Sequence, residues 1–111
     1  MKQYVIDELR PGDFEEIRNY FNNAFPATGI EGIYRIPIDS DMLTDVQKNH
    51  TSCGPHYFAV ELVEPDKMVF ELLIRAQSII RCNCIAYANE KQRNWMIAYA
   101  DSILERLEIQ V

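Results

Sequence analysis

The sequence has no surplus of basic residues. Its 111 residues include 17 Asp and Glu against 11 Lys and Arg, which gives a formal net charge of −6. A negative charge of this size repels phosphate backbones and anionic lipid headgroups. We therefore expect the protein to bind neither nucleic acid nor a membrane.

Long apolar runs are missing as well. No stretch reaches the roughly 18 uninterrupted apolar residues of a membrane-spanning helix, and the first ten residues, MKQYVIDELR, lack the apolar run of a signal peptide. Three cysteines are an odd number and too few for the disulfide framework of a small secreted protein. These absences predict a cytoplasmic protein with reduced thiols.

No motif in the sequence identifies a reaction. It contains no glycine-rich phosphate loop, no Ser-His-Asp arrangement and no zinc-protease helix pattern. The sequence therefore leaves open whether the protein is an enzyme.

What is present is the composition of one globular domain. The hydrophobic share is 48% and the charged share 25%, both close to the averages for globular proteins. A chain of this length can bury a single core, and it shows no internal repeat and no linker. We expect one α+β domain over residues 1–111.

The N-terminal half alternates between predicted strands and helices. Residues 3–9 are predicted to form a strand, and an amphipathic helix capped by Asp13 follows. A second strand is predicted over residues 33–39, at a sheet edge, because Pro37 cannot donate a ladder hydrogen bond. A short helix is predicted over residues 41–49.

The C-terminal half has the pattern of a three-stranded meander and a long helix. The strands are predicted over residues 57–63, 68–75 and 78–87. Their short connections allow only antiparallel neighbours, and Asn89 and Gln92 form a capping-box pattern before a helix over residues 90–107. The predicted fold is an α+β two-layer sandwich, a mostly antiparallel sheet with the N-terminal helix and the long C-terminal helix on one face.

Strand parity predicts two different faces for this sheet. The face toward the helices is apolar, whereas the open face mixes apolar and charged side chains. In the predicted register Glu71 lies opposite Arg81 and Val69 opposite Asn83, so an ion pair forms near the centre of the open face. The candidate ligand or interface residues on this face are Tyr57, Glu61, Glu71, Leu73, Arg75, Arg81, Asn83, Ile85 and Tyr87.

The open face supports a first functional hypothesis. An apolar centre with a polar rim is typical of a protein interface. The hypothesis is a small non-catalytic binding or assembly module that forms a homodimer or docks a protein partner. Two alternatives remain: Arg75 and Arg81 could hold a carboxylate or phosphate, or the face is simply solvated, with a surface ion pair of about 0–1 kcal/mol.

The stretch NHTSCGPHYF, residues 49–58, supports a second hypothesis. His50, Cys53 and His56 have the spacing H-x2-C-x2-H, and imidazole and thiolate are the ligands that zinc prefers. The stretch is therefore a candidate zinc site, or a reactive thiol in which a histidine lowers the pKa of Cys53. The alternative is a polar turn built around its Gly-Pro pair.

Cys82 and Cys84 are the only candidates for a second pair of metal ligands. On a strand their Cα atoms would lie about 6.6–6.8 Å apart, so a metal would need a bulge to bring the sulfurs together. The favoured interpretation is packing, because free cysteine behaves as a small apolar residue and such a pair would let the long helix approach the sheet. The expectation is therefore no cofactor, with zinc as the alternative.

Overall fold

A computed structural model describes residues 2–110 of the chain, and within them it contains six strands and three α-helices. The strands are β1 (Gln3–Ile6), β2 (Ile33–Pro37), β3 (His56–Val63), β4 (Lys67–Glu71), β5 (Leu73–Ala76) and β6 (Ala86–Tyr87). The helices are α1 (Pro11–Ala24), α2 (Asp45–Asn49) and α3 (Glu90–Arg106), and a single 3-10 turn covers Ser40–Met42.

All six strands pair antiparallel in one open sheet. Val60 in the middle of β3 pairs with Tyr34 of β2 on one side and with Phe70 of β4 on the other. Tyr57 pairs with Arg75, so β5 lies on the same side of β3 as β4. β1 pairs with the outer edge of β4, and β6 with that of β5.

The predicted α+β class and the mostly antiparallel sheet are confirmed. β2 pairs only with β3 and forms an edge, as its proline predicts. α3 begins after a capping box in which the side chains of Asn89 and Gln92 bond each other's backbone N–H groups. α1 begins earlier than predicted, at Pro11 rather than after Asp13, because the fixed φ angle of proline suits the first helical position.

The core lies on one face of the sheet. Phe58, Val60 and Leu62 alternate along β3 with less buried residues, and they join one apolar cluster with side chains of α1 and α3. The largest fully buried residues of this cluster are Phe21, Phe58, Phe70, Ile17, Ile36, Met68, Ile74, Met96 and Ile103. Among the described residues, no helix is both long enough and apolar enough to cross a membrane.

The prediction of a third meander strand is wrong over most of its length. Only Ala86 and Tyr87 form a strand, which pairs with β5. Residues 77–85 form a loop that has one isolated bridge, from Ile79 to Ala76, and exposes 85% of Ile80. β1 occupies the outer edge of β4 where that strand would have paired, since Glu71 lies opposite Gln3. The chain after β5 therefore turns away from the sheet edge.

The predicted cross-strand pairs of the open face are wrong for the same reason. Arg81 and Asn83 lie in the 77–85 loop, so neither Glu71–Arg81 nor Val69–Asn83 forms. Glu71 instead forms an ion pair with Arg75 four residues along the chain. The predicted helix over residues 41–49 is also divided, into the 3-10 turn and α2.

Candidate metal site

Four side chains with metal-ligating atoms meet beside the N-terminal end of β3. They are His50, Cys53, Cys82 and Cys84, and one ligand atom from each lies within 4.8 Å of the other three. The first two precede β3, and the other two come from the 77–85 loop. The site thus joins two segments that are far apart in the sequence.

α2 and the turn after it position the first two candidate ligands. A capping box of Thr44 and Gln47 starts α2, and His50 is its C-cap residue. The backbone N–H of Cys53 then donates to the carbonyl oxygen of His50 at 3.0 Å, and that of Gly54 donates to Thr51 at 3.1 Å. These bonds turn the chain tightly, so that His50 and Cys53 face the same space.

The 77–85 loop is bonded to this turn through its backbone. The N–H of Gln77 donates to the carbonyl of Pro55 at 3.0 Å, and that of Ser78 donates to the carbonyl of Cys53 at 2.9 Å. The Ser78 hydroxyl adds a 2.8 Å bond to the carbonyl of Gly54. The two loops that carry the candidate ligands therefore lie side by side.

A second turn brings Cys82 and Cys84 together. The N–H of Ile85 donates to the carbonyl of Cys82 at 3.0 Å, so these residues do not have the extended geometry of a strand. The sulfur of Cys82 lies 3.1 Å from Nδ1 of His50 and 4.0 Å from the sulfur of Cys53. Cys84 is deeper, with 1% of its surface exposed.

Two buried glutamines attach the Cys84 backbone to both helix starts. The side-chain amide of Gln47 donates to the carbonyl of Cys84 at 3.2 Å. Gln92, at the start of α3, donates from its own amide to Oε1 of Gln47 and to the carbonyl of Met42, at 2.9 Å each. Because both glutamines are almost fully buried, this network fixes the loop with hydrogen bonds that have little competition from water.

The distances fit a tetrahedral ion. Bonds of about 2.3 Å to sulfur and 2.0–2.1 Å to nitrogen place the ligand atoms of a tetrahedral zinc roughly 3.5–3.8 Å apart. The Nδ1 atom of His50 lies 3.1 Å from the Cys82 sulfur and 3.9 Å from the Cys53 sulfur, and the two sulfurs are 4.0 Å apart. Shifts of a few tenths of an ångström would bring these three atoms to that geometry, and the sulfur of Cys84 lies within 4.8 Å of each of them.

The thiols of the site differ in their electrostatic environment. A backbone hydrogen bond from Cys84 lowers the pKa of the Cys82 thiol to about 7, and bonds to the neighbouring thiols and His50 act in the same direction. Burial raises the pKa of the Cys84 thiol to about 12. The more accessible sulfur is therefore the one stabilised as a thiolate.

The structure places His56 outside this group of four. It is the first residue of β3, 4% exposed, and its Nε2 is a buried polar atom without a hydrogen-bond partner. Burial lowers the pKa of His56, and the neighbouring His50 lowers it further. Of the three residues that the sequence predicts for the metal or thiol site, His50 and Cys53 thus lie close together and His56 does not join them. Cys82 and Cys84 lie beside His50 and Cys53 instead.

The interface candidates are divided between the sheet and the loop. Residues of β3 to β6 on the open face are Tyr57, Glu61, Glu71, Leu73, Arg75 and Tyr87. Arg81, Asn83 and Ile85 belong to the 77–85 loop. The Nη2 atom of Arg75 donates to Glu71 at 3.2 Å, so this guanidinium already has an anionic partner.

One signal in the sequence could have identified the turn that brings Cys82 and Cys84 together. Asn83, between the two cysteines, is a residue that favours turns. In the apolar context SIIRCNCIAY this signal was outweighed by the high strand propensity of the isoleucines.

No family model, no curated protein and no solved structure matches the chain.

Proposed function

We propose that the domain binds one zinc ion through Nδ1 of His50 and the sulfurs of Cys53, Cys82 and Cys84. The observation that supports this is the convergence of four ligand atoms within 4.8 Å of one another. Three thiolates and one imidazole are a donor set typical of structural zinc sites. Soft thiolate ligands also favour zinc over magnesium or calcium, which prefer oxygen.

The proposed ion has a structural role. Four protein ligands complete a tetrahedral shell, and a catalytic zinc site keeps one position open for water or substrate. In this arrangement the ion ties the turn after α2 to the 77–85 loop. The glutamine that bonds the Cys84 carbonyl acts as an outer-shell partner, which orients the ligand rather than binding the metal.

Native mass spectrometry of protein purified without chelator under reducing conditions tests the proposal. We expect one zinc per chain, lost in Cys84→Ser and kept in the matched control Ser52→Ala, an exposed neighbour of a ligand. If His56→Gln loses zinc while Cys84→Ser keeps it, the ligands are instead the His50, Cys53 and His56 of the sequence hypothesis. A reduced wild-type protein without metal would overturn the proposal.

Self-association through the open sheet face is a second candidate function. The specific observation is that one ion pair of this face is formed within the chain, since Glu71 bonds Arg75, and that the Arg35 guanidinium stacks on Tyr57. A second copy that covers Arg75 would therefore not bury an unpaired guanidinium, which would be a costly step in association. Apolar side chains such as Leu73 would then be covered in a homodimer.

Analytical ultracentrifugation tests this second candidate. Leu73→Glu is expected to convert a dimer to a monomer, because it places a charge in the apolar part of the interface. Ile80→Glu is the matched control, since the same change is made on the 77–85 loop, away from the sheet face. An identical sedimentation profile for wild type and Leu73→Glu would contradict dimerisation through this face.

We place the protein in the cytoplasm as part of the same proposal. Its cysteines are free thiols, and a reducing compartment keeps thiols available for metal binding. The negative charge of the chain makes a protein surface a better partner than nucleic acid. Fluorescence microscopy of a tagged chain tests the location, and secretion would contradict it.

A further inference from the structure

The ligands of the proposed zinc site differ in their access to solvent. Cys53 and Cys82 are half-buried, whereas Cys84 is 1% exposed and its carbonyl is bonded by a buried glutamine. The sulfurs of Cys53 and Cys82 are 4.0 Å apart. A disulfide requires an S–S separation of about 2.05 Å, so a modest change of side-chain torsion in each residue brings the pair together.

We propose that this zinc site is sensitive to peroxides, and that oxidation joins Cys53 to Cys82 in a disulfide and releases the metal. The inference rests on the proposed zinc binding. The thiols of the site differ in solvent access, and this difference decides which of them react. The accessible Cys53 and Cys82 are oxidised, and the buried Cys84 stays reduced.

The chemistry needs only hydrogen peroxide as oxidant. One of the two accessible thiolates attacks a peroxide oxygen, the O–O bond breaks, and the departing hydroxide takes a proton to become water. The sulfenic acid that results is attacked by the second thiolate, so that the S–S bond forms, the S–O bond breaks and a second hydroxide leaves as water. Two thiolates are oxidised by two electrons, which the peroxide accepts.

Loss of two thiolates explains the release of metal in this scheme. Zinc is bound by thiolate and not by a disulfide, so only His50 and Cys84 would remain as ligands. The new covalent bond connects the same two loops that the ion connected. Because the backbone bonds between these loops persist, we expect the oxidised domain to remain folded.

Pairing of Cys82 with Cys84 is disfavoured by the structure. Cys84 is held in the interior by the bond from Gln47 to its carbonyl, and its buried sulfur has less freedom to reach a sulfenic acid on Cys82 than the half-buried sulfur of Cys53 has. Cys53, in contrast, lies on a turn at the surface of the site. The predicted product is therefore a single disulfide between the two loops.

Peroxide titration of the reduced, zinc-loaded protein tests the inference. A chelating dye measures released zinc, and non-reducing peptide mass spectrometry identifies the disulfide after alkylation of the remaining thiols. We expect loss of about one zinc per disulfide formed, a Cys53–Cys82 linkage, and an alkylated Cys84. A thiol reductant with added zinc should restore the starting metal content.

Three results separate the two proposals. Absence of zinc from the reduced protein overturns the metal site, and with it the inference. If zinc is present but stays bound when the thiols are oxidised, the inference alone is overturned. The same holds if zinc is released but the disulfide joins Cys82 to Cys84. Cys84→Ser provides a further check because it keeps the reacting pair: it should form the same disulfide, whereas Cys53→Ser should not, and the opposite result would contradict the assignment.

Discussion

The middle of β3 and its N-terminal end are stabilised by different kinds of interaction. Around Val60 the strand has neighbours on both sides, and its inward side chains are part of the apolar core. Around His56 it follows a short turn that is tied to the 77–85 loop by backbone bonds and a few polar side chains. The loop even exposes Ile80 to solvent.

This difference suggests why a metal site would be located at this end. A loop that buries few apolar groups gains little from the hydrophobic effect, and ordering its backbone costs about 1–2 kcal/mol per residue. Metal–ligand bonds offset such a cost in small domains. We infer that apolar packing stabilises one end of the molecule, and that the glutamine network and the proposed ion stabilise the other.

The largest expected effect comes from the apolar core. Phe70→Ala removes a side chain with 0% exposure from β4, and such truncations typically cost 3–5 kcal/mol, roughly. Urea denaturation should show this loss both with zinc and with chelator. Val5→Ala, at an exposed position of β1, is the control, with an expected change of about 0.5 kcal/mol or less.

Removal of the proposed metal should destabilise the region beside the N-terminal end of β3. Treatment with a chelator and reductant is expected to lower Tm by roughly 10–20 °C, the size expected when a tight ligand of the native state is lost. Hydrogen exchange should increase at residues 50–55 and 77–85, while β1 and β4 stay protected. A uniform increase in hydrogen exchange over the whole chain would mean that the apolar core and the proposed metal site are not stabilised independently.

The glutamine network should affect metal binding more weakly. Gln47→Leu removes the donor to the Cys84 carbonyl and leaves Gln92 without one of its acceptors. Loss of an outer-shell partner typically weakens metal affinity by about 10–100-fold, which a competition titration with a chelating dye measures. The exposed Gln77 is the matched position, and an equal loss in Gln77→Leu would argue against a specific role for the network.

The smallest effect is expected on the open sheet face. Glu71→Gln breaks the ion pair with Arg75, whose guanidinium is about a third exposed, so the unfolding free energy should fall by about 1 kcal/mol or less. The pKa of Arg75 is raised, mainly by the hydrogen bond that its guanidinium donates to Glu71. The difference between variant and wild type should shrink at high salt, whereas a salt-independent loss would indicate packing rather than charge.

The parts of the fold that depend on local chemistry could be predicted from the sequence. The capping box of Asn89 and Gln92 fixed the start of α3, and the alternation along YFAVELV gave the buried face of β3. The edge position of β2 followed from Pro37. Each of these is a property of neighbouring residues, which periodicity and propensity describe directly.

The parts that depend on competition between distant segments could not be predicted. Whether the SIIRCNCIAY segment pairs with β4 depends on whether another strand holds that edge, and the strand that does is β1, at the other end of the described chain. For the same reason the convergence of Cys82 and Cys84 with His50 required the tertiary structure. The spacing of residues 50–56 indicated a metal site with His56 as its third ligand, whereas the structure brings Cys82 and Cys84 to His50 and Cys53.

X-ray absorption at the zinc edge, on protein purified without added metal chelators, tests the central claim most directly. The account predicts a four-coordinate shell with three sulfurs at about 2.3 Å and one nitrogen at about 2.0–2.1 Å. A shell of nitrogen and oxygen ligands alone, or a reduced protein that retains no zinc, would contradict it.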